Sequence, residues 1–473
     1  MTSNDNSMPL RGKLRHSTSW FRRRSQRTLA LVLVLWFAPF AFAAAATSEF
    51  VRHTFDNYTG QQPNFLSLGT DGNLYGTALL GGVNQDGTLF RMTPAGQYRV
   101  LYAFSGPDGN GPNSIIQGTD GNFYGTTSVG GANNAGTVFM LTRSGAVTTL
   151  HSFTGADGSG PNPIIQGRDG ILYGTTSGGG TNGYGTVFKL STTGAFTTLY
   201  QFSGSDGENP VGAVVEGADG AFYGMTNADT LGDAGTVYRI TSAGQLTTVC
   251  GFSGSFYAPV GALIQATDGN FYGAANGPYG AVFRVTPSGT ITVMYTPSAN
   301  PPNNGSFFQV GLVQGSDGAL YGTTTGGGAG NNGVLFRLTL AGEFTTLYAF
   351  TGYDGALFWN VVEGTNQQLY VAGAQAGGIG DGVIDQFAMQ PAPPTLDLYV
   401  APRVAKLSVT SQTMIYWKTT DATACSSNFS GLPPNEGPQA IPLTSPGSFD
   451  YTMTCSGANG SVTKTVSVIV TAN

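Results

Sequence analysis

Asp120-Gly121-Asn122-Phe123-Tyr124-Gly125-Thr126-Thr127 decides the fold, because the chain makes this stretch again and again. Further copies begin at Asp71, Asp169, Asp219, Asp268 and Asp317, and a degenerate one begins at Asn366. Successive starts lie 49, 49, 50, 49, 49 and 49 residues apart. A period that regular means one supersecondary unit made seven times, each copy burying its apolar surface against the next.

Working outward from Asp120, Ile115-Ile116-Gln117 reads as a first strand, A. Asp120-Gly121 closes a tight turn in which Gly accepts positive φ. Phe123 to Thr127 reads as strand B, and a Gly/Asn loop over 130–136 leads to strand C, Thr137-Val138-Phe139-Met140-Leu141. The turn Thr142-Arg143-Ser144-Gly145 leads to strand D over residues 147–153, and it recurs as Thr93-Pro94-Ala95-Gly96 and Thr286-Pro287-Ser288-Gly289. Strand C is apolar on both faces, as in Val187-Phe188 and Leu335-Phe336, which suits a sheet covered above and below. Four strands per unit, stacked radially, predict an all-β fold with a β-propeller of seven blades over residues 47–390.

The ends of the array bear on closure. The seventh unit supplies strands A to C (Asn360-Val361-Val362, Leu369-Tyr370-Val371 and residues 383–387) and then runs into Pro391-Ala392-Pro393-Pro394. An orphan segment, Phe50-Val51-Arg52-His53-Thr54-Phe55, precedes the first unit and matches the strand D pattern of Leu101-Tyr102-Ala103-Phe104. It is expected to complete the last blade and so remove an exposed sheet edge.

Residues 1–46 read as a signal peptide: a basic region from Arg11 to Arg27, an apolar run over 29–42 and small residues Ala43 to Ala46. An uncleaved membrane anchor is the rival reading, as the run approaches the length of a span. That segment holds seven of the 20 Lys+Arg and one of the 26 Asp+Glu, so 13 basic and 25 acidic residues remain, a net of −12. Such a surface is a poor partner for nucleic acid or an anionic membrane. The expectations are export to the periplasm, cell surface or medium, no transmembrane span after cleavage, and a monomer.

Beyond a Pro-rich linker (391–396), residues 397–473 carry several strand-like runs, among them Thr413-Met414-Ile415-Tyr416-Trp417 and Tyr451-Thr452-Met453-Thr454-Cys455. Cys425 and Cys455 lie thirty residues apart, and in a small exported domain the pair reads as a disulfide, with two buried thiols as the alternative. Cys250 stands where other repeats have Tyr or His and reads as a packed free thiol.

The recurring Asp-Gly-x-Phe/Leu-Tyr-Gly-Thr-Thr, Gly-Thr-Val-Phe-Lys-Leu and Leu-Tyr-x-Phe-Ser-Gly motifs over residues 50–390 resemble the GloVer tandem-repeat family of exported bacterial proteins. That resemblance implies a propeller-like fold and a surface or secreted location, and no reaction. Residues 415–425 are similar to segments of bacterial immunoglobulin-like modules, which implies a small β-sandwich at the C-terminus.

The chemistry expected is sparse. The turn aspartates, Asp71 to Asp317, read as turn-formers rather than as acids or calcium ligands. Asp108, Asp157, Asp206 and Asp354 lie in D–A loops, but Asp108-Gly109-Asn110-Gly111 lacks the spaced carboxylates that calcium takes. Only His53 and His151 follow residue 46, the Gly-rich loops carry no Lys for a phosphate, and no Gly-x-Ser-x-Gly elbow occurs. No metal, no cofactor and no catalytic residue is assigned. The residue seven before each turn aspartate should start strand A near the channel: Asn64, Asn113, Asn162, Gly212, Gly261, Val310 and Trp359. With Tyr257, Phe307 and Phe308 nearby, the candidate ligand-binding residues are Asn113, Asn162, Tyr257, Phe308 and Trp359, against simple plugging of the channel. The expectation is an exported noncatalytic binding or adhesion protein that takes a glycan or a peptide at the channel mouth. The alternative is an enzyme. The strand plan resembles propeller lyases such as streptogramin lyase, but the histidines those enzymes hold on channel-facing strands have no counterpart here.

Overall fold

A computed structural model of the chain describes residues 50–228, 235–252, 258–276, 280–297, 305–308, 311–328, 330–352, 356–375, 380–389, 395–408, 412–420, 422, 424–429, 436–457 and 460–472. The signal-like segment lies outside them, as do Tyr257, Val310 and Asp354. The fold is all-β: every element among the described residues is a strand. No described helix is long and apolar enough to cross a membrane.

The first strand, β1 (Phe50–Thr54), stands apart from the repeat that follows it. That repeat is β2 (Gln61–Leu68), β3 (Leu74–Leu80), β4 (Thr88–Met92) and β5 (Tyr98–Ala103), hydrogen-bonded in that order. The second repeat copies it with Asn110–Gln117, Phe123–Val129, Thr137–Leu141 and Val147–Ser152. Strand A therefore begins five residues earlier than the apolar run Ile115-Ile116 suggests. Its first half, Asn110-Gly111-Pro112-Asn113, has turn composition yet pairs Asn110 with Val129 and Pro112 with Thr127. Strand A is a sheet edge, where a proline's missing N–H costs no ladder bond. A register shift between Pro112 and Ser114 bends the strand at this point.

Strand B is buried along most of its length. Its glycine is required by close approach: a Cβ on Gly125 would stand 2.1 Å from the Ser114 carbonyl oxygen and 2.4 Å from Cζ of Phe139. Six repeats pair that glycine with an aromatic ring on strand C. The seventh pairs Val371 with Asp385 instead, gaining bulk on one strand and losing it on the other.

Seven antiparallel sheets arise in this way, and the last has the order Phe50–Thr54, Val383–Ala388, Gln368–Gln375, Ala356–Glu363. Within it β1 runs antiparallel to Val383–Ala388, with Thr54 opposite Val383 and His53 opposite Ile384. Each sheet packs on the next, and β2 packs on the inner strands of the seventh. The apolar core lies between sheets. One cluster joins Leu89 and Phe104 of the first repeat to Phe123 and Phe139 of the second. Another joins Phe55, Leu66 and Phe90 to Tyr370 and Ile384. Each fully buried aromatic ring of this kind contributes about 1.5–3 kcal/mol.

Several of the joints repeat as well. Pro112 wedges against Gly87, Pro161 against Gly136 and Pro210 against Gly185, and Pro63 makes the same contact with Gly382 of the last repeat. Near the Asp-Gly turns, Thr70 N–H donates to Gln117 at 2.7 Å, Thr119 N–H to Gln166 at 2.8 Å and Thr267 N–H to Gln314 at 2.9 Å.

The C-terminal residues form two further sheets. One has the order Thr395–Ala401, Gln412–Thr420, Glu436–Pro442; the other has the order Val404–Lys406, Gly460–Thr471, Gly447–Gly457, Ala424–Ser427. The first of these strands begins inside the segment read as linker. Ile415, Trp417, Met453 and Val468 lie in one buried cluster of this region. Cys425 and Cys455 form a disulfide and sit opposite each other on adjacent strands of one sheet. Cys250 is a free thiol, pushed up to about 11 chiefly by burial.

Candidate functional site

The inner strands converge on a cavity of about 360 Å³. Repeats one to three line it with Asn64, Asn113 and Asn162, repeats four to six with Gly212, Gly261 and Gly311, and the seventh with Trp359 and Asn360. Two residues separate the wedge residue from the next buried aliphatic in repeats one to three and seven, as in Pro112-Asn113-Ser114-Ile115. Three do so in repeats four to six, as in Pro210-Val211-Gly212-Ala213-Val214. The extra residue forms a bulge in which Gly212 and Gly261 take φ of +62° and +68°. A Cβ on Gly212 would stand 2.2 Å from the carbonyl oxygen of Gly261, so this side of the cavity is backbone. The cavity thus has an amide half, a glycine half and an indole between them.

The asparagines are joint residues first. Asn64 donates from Nδ2 to the Pro112 carbonyl at 3.2 Å, Asn113 to Pro161 at 2.7 Å and Asn162 to Pro210 at 2.7 Å. Thr77 and Thr126 hydroxyls donate to Oδ1 of Asn64 and Asn113, whereas Asn162 spends a second N–H on Thr175 at 3.0 Å. In the seventh repeat Trp359 takes the asparagine's place, and Asn360 beside it accepts from Leu66 N–H at 2.9 Å.

Of the residues singled out from sequence, Asn113, Asn162 and Trp359 meet at this cavity, and Trp359 is 38% exposed. Phe308 does not reach it. It is 1% exposed and fills the wedge slot that Pro occupies elsewhere, against Gly280 and 5.4 Å from Phe336. Its neighbour Phe307 takes φ +58° and is the exposed one, at 47%. Tyr257 lies outside the described residues. Sequence reasoning missed Phe65, Pro163 and Asn360, which follow the ring position in their repeats and also line the cavity. Their place one residue on from the counted ring position was the available signal.

Among the described residues, none that lines the cavity carries an ionisable side chain. The turn aspartates are held in their own turns: Asp120 accepts from Asn122 N–H at 3.0 Å and from the Tyr124 hydroxyl at 2.7 Å. Burial would raise the Asp120 carboxyl, but these bonds outweigh it and hold the group below its usual range. Burial and the same bond push Tyr124 up to about 12. In the D–A loops Tyr102 donates to Asp108, and His151 takes the tyrosine's role with Nε2 3.0 Å from Asp157. Burial lowers the imidazole despite that carboxylate, and the ring of His151 stacks 3.7 Å over Phe196. Among the described residues no three His, Cys, Asp or Glu side chains gather to hold a metal ion.

The Gloeobacter/Verrucomicrobia repeat model matches residues 39–229, 144–296 and 205–385, well over half of the chain. The chain belongs to the Gloeobacter/Verrucomicrobia repeat family. No curated protein matches this repeat protein. Its fold is similar to the extracellular domain of a proposed hybrid two-component system from B. thetaiotaomicron, with a TM-score of 0.52 and 11% identity. That match covers 90% of this chain and 58% of the other, so the repeat protein spans under two thirds of that relative. A puromycin hydrolase is similar at a TM-score of 0.48 and 13% identity, over 77% of this chain and 62% of the hydrolase.

Proposed function

We propose that this protein is an exported, noncatalytic binding or adhesion module. Its seven sheets form the blades of a β-propeller closed by the N-terminal strand, and its ligand, a glycan or a peptide, enters the cavity on the axis. The observation that carries this reading is the cavity itself: about 360 Å³, within the range of small-ligand sites, with Trp359 at its rim beside asparagine amides. The neutral side chains of its described lining support binding over turnover, because a proton-transfer reaction needs a titratable side chain within hydrogen-bond reach of substrate. The pairing of β1 with Val383–Ala388 and the Pro63–Gly382 wedge support closure.

The C-terminal module is proposed as an immunoglobulin-like sandwich serving as spacer or second contact. A first strand on one sheet followed by a short one parallel to the last strand, Val404–Lys406 beside Gly460–Thr471, supports that topology. Its disulfide lies within one sheet rather than between two, so it departs from the antibody pattern. The disulfide and the signal-like N-terminus support export and leader cleavage, and the acidic balance supports a soluble monomer.

Glycan- and peptide-array binding by the chain without residues 1–46 tests the proposal. Selective binding that W359A abolishes, with melting unchanged, is expected. Turnover of a lyase or hydrolase substrate, lost on changing one cavity residue, would replace it.

A further inference from the structure

We infer that the cavity takes the uncharged terminal residue of a saccharide, with the sugar's apolar face on Trp359. This rests on the reading of the cavity as the ligand site and narrows its choice between glycan and peptide. Size is the first argument. About 360 Å³ lies at the low end of ligand pockets, which suits one ring rather than an extended segment.

Charge is the second. A carboxylate, phosphate or ammonium entering here would shed water with no opposite charge among the described lining residues to meet it, at a cost of several kcal/mol. The ligand is therefore neutral where it touches the wall.

The hydrogen-bonding pattern is the third. An asparagine amide carries two hydrogens and an oxygen with two lone pairs. The joint bonds of Asn64 and Asn113 use one hydrogen each, whereas those of Asn162 use both and leave its oxygen. The amide half so offers donors and an acceptor side by side. A hydroxyl group both gives and accepts, and neighbouring hydroxyls on a ring meet such a mixed row. Opposite them, bulges held to glycine leave the space open, since any Cβ at Gly212 would collide with Gly261. Trp359 supplies the apolar platform, and it replaces an asparagine in one repeat of the seven, which sets the ligand off-centre toward the seventh repeat.

The test is calorimetric titration of the chain from residue 47 with neutral methyl glycosides of glucose, galactose, mannose and xylose. The corresponding uronic acids and a capped neutral tripeptide are run beside them. A neutral glycoside is expected to bind, to quench indole fluorescence, and to weaken at least tenfold in W359A and less in W359F. The uronic acids are expected to bind at least tenfold more weakly, and raising salt from 0.05 to 0.5 M to change little. Binding by none of the neutral glycosides, or equal binding of the acids, overturns the inference. If the tripeptide binds and W359A abolishes it, the cavity stands as the site and only the sugar falls. If every bound ligand is indifferent to both W359A and N113A, the cavity reading falls as well.

Discussion

Pro63 and Gly382, 319 positions apart in sequence, touch so closely that a Cβ on the glycine would stand 2.3 Å from the proline Cδ. The same wedge recurs between neighbours at Pro112 and Gly87, so the first and last repeats touch here as the first and second do. Gly382 also holds φ +107°, which L side chains rarely adopt. Substituting Gly382→Ala combines backbone strain with overpacking and is expected to cost ~2–4 kcal/mol, read as a lower denaturant midpoint. Gly170→Ala, at φ +79° with nothing within 4 Å, is expected to cost only about 1–2 kcal/mol. Equal losses in the two variants would deny the joint its importance.

The Asp-Gly turn anchors a tyrosine. Removing the Asp120 carboxylate leaves the Tyr124 hydroxyl without its acceptor, and Asp120→Ala is expected to destabilise the fold by ~1–3 kcal/mol. Asp120→Asn should be much milder, because the seventh repeat already uses Asn366 to hold Tyr370 at 3.0 Å. Thermal melting of both variants checks this; ligand binding should be unaltered in each.

His53 ties β1 to the array and sets an acid limit. It stacks 3.7 Å over Tyr98, and burial lowers it from 6.5 to about 4 against the pull of Asp56. The unfolded chain therefore binds a proton between pH 6.5 and 4 that the folded chain refuses, so stability is complete above pH 6.5 and falls through that window. Substituting His53→Phe keeps the stack and should flatten the fall, as measured by melting at pH 7.0, 5.5 and 4.5. The turn carboxylates of Asp71, Asp120 and Asp268 are held below 3.8 and contribute their own loss only at lower pH.

The disulfide closes a loop of 30 residues, and its removal in Cys425→Ser with Cys455→Ser is expected to cost about 3–4 kcal/mol by chain entropy. The loss should fall on the C-terminal module and spare the repeats. Hydrogen exchange resolved by segment distinguishes the two regions.

Much of the fold is legible in the sequence because the repeat prints it seven times. Strand C can be read to the residue from Thr137-Val138-Phe139-Met140-Leu141, since both its faces are apolar. The start of strand A cannot, because Asn110-Gly111-Pro112-Asn113 has turn chemistry and only a sheet edge tolerates it as strand. The site shows the same division. Counting back from the turn aspartates leads to Asn113, Asn162 and Trp359, but the carbonyls that the asparagines hold belong to the next repeat and leave no trace in their own. Phe308 breaks the repeat pattern for a packing reason, filling a proline's slot, and a break in pattern does not say whether a ring faces ligand or core.

Closure of the ring by β1 is the claim on which the cavity depends, and a cross-link tests it most directly. Thr54 and Val383 face each other across that pairing. With Cys250 replaced by Ser, the double substitution Thr54→Cys and Val383→Cys is expected to form a disulfide on mild oxidation, seen as faster migration on non-reducing gels and a raised melting temperature. Two thiols that stay reduced in the folded protein, with β1 amides exchanging as fast as an unpaired chain, would contradict it.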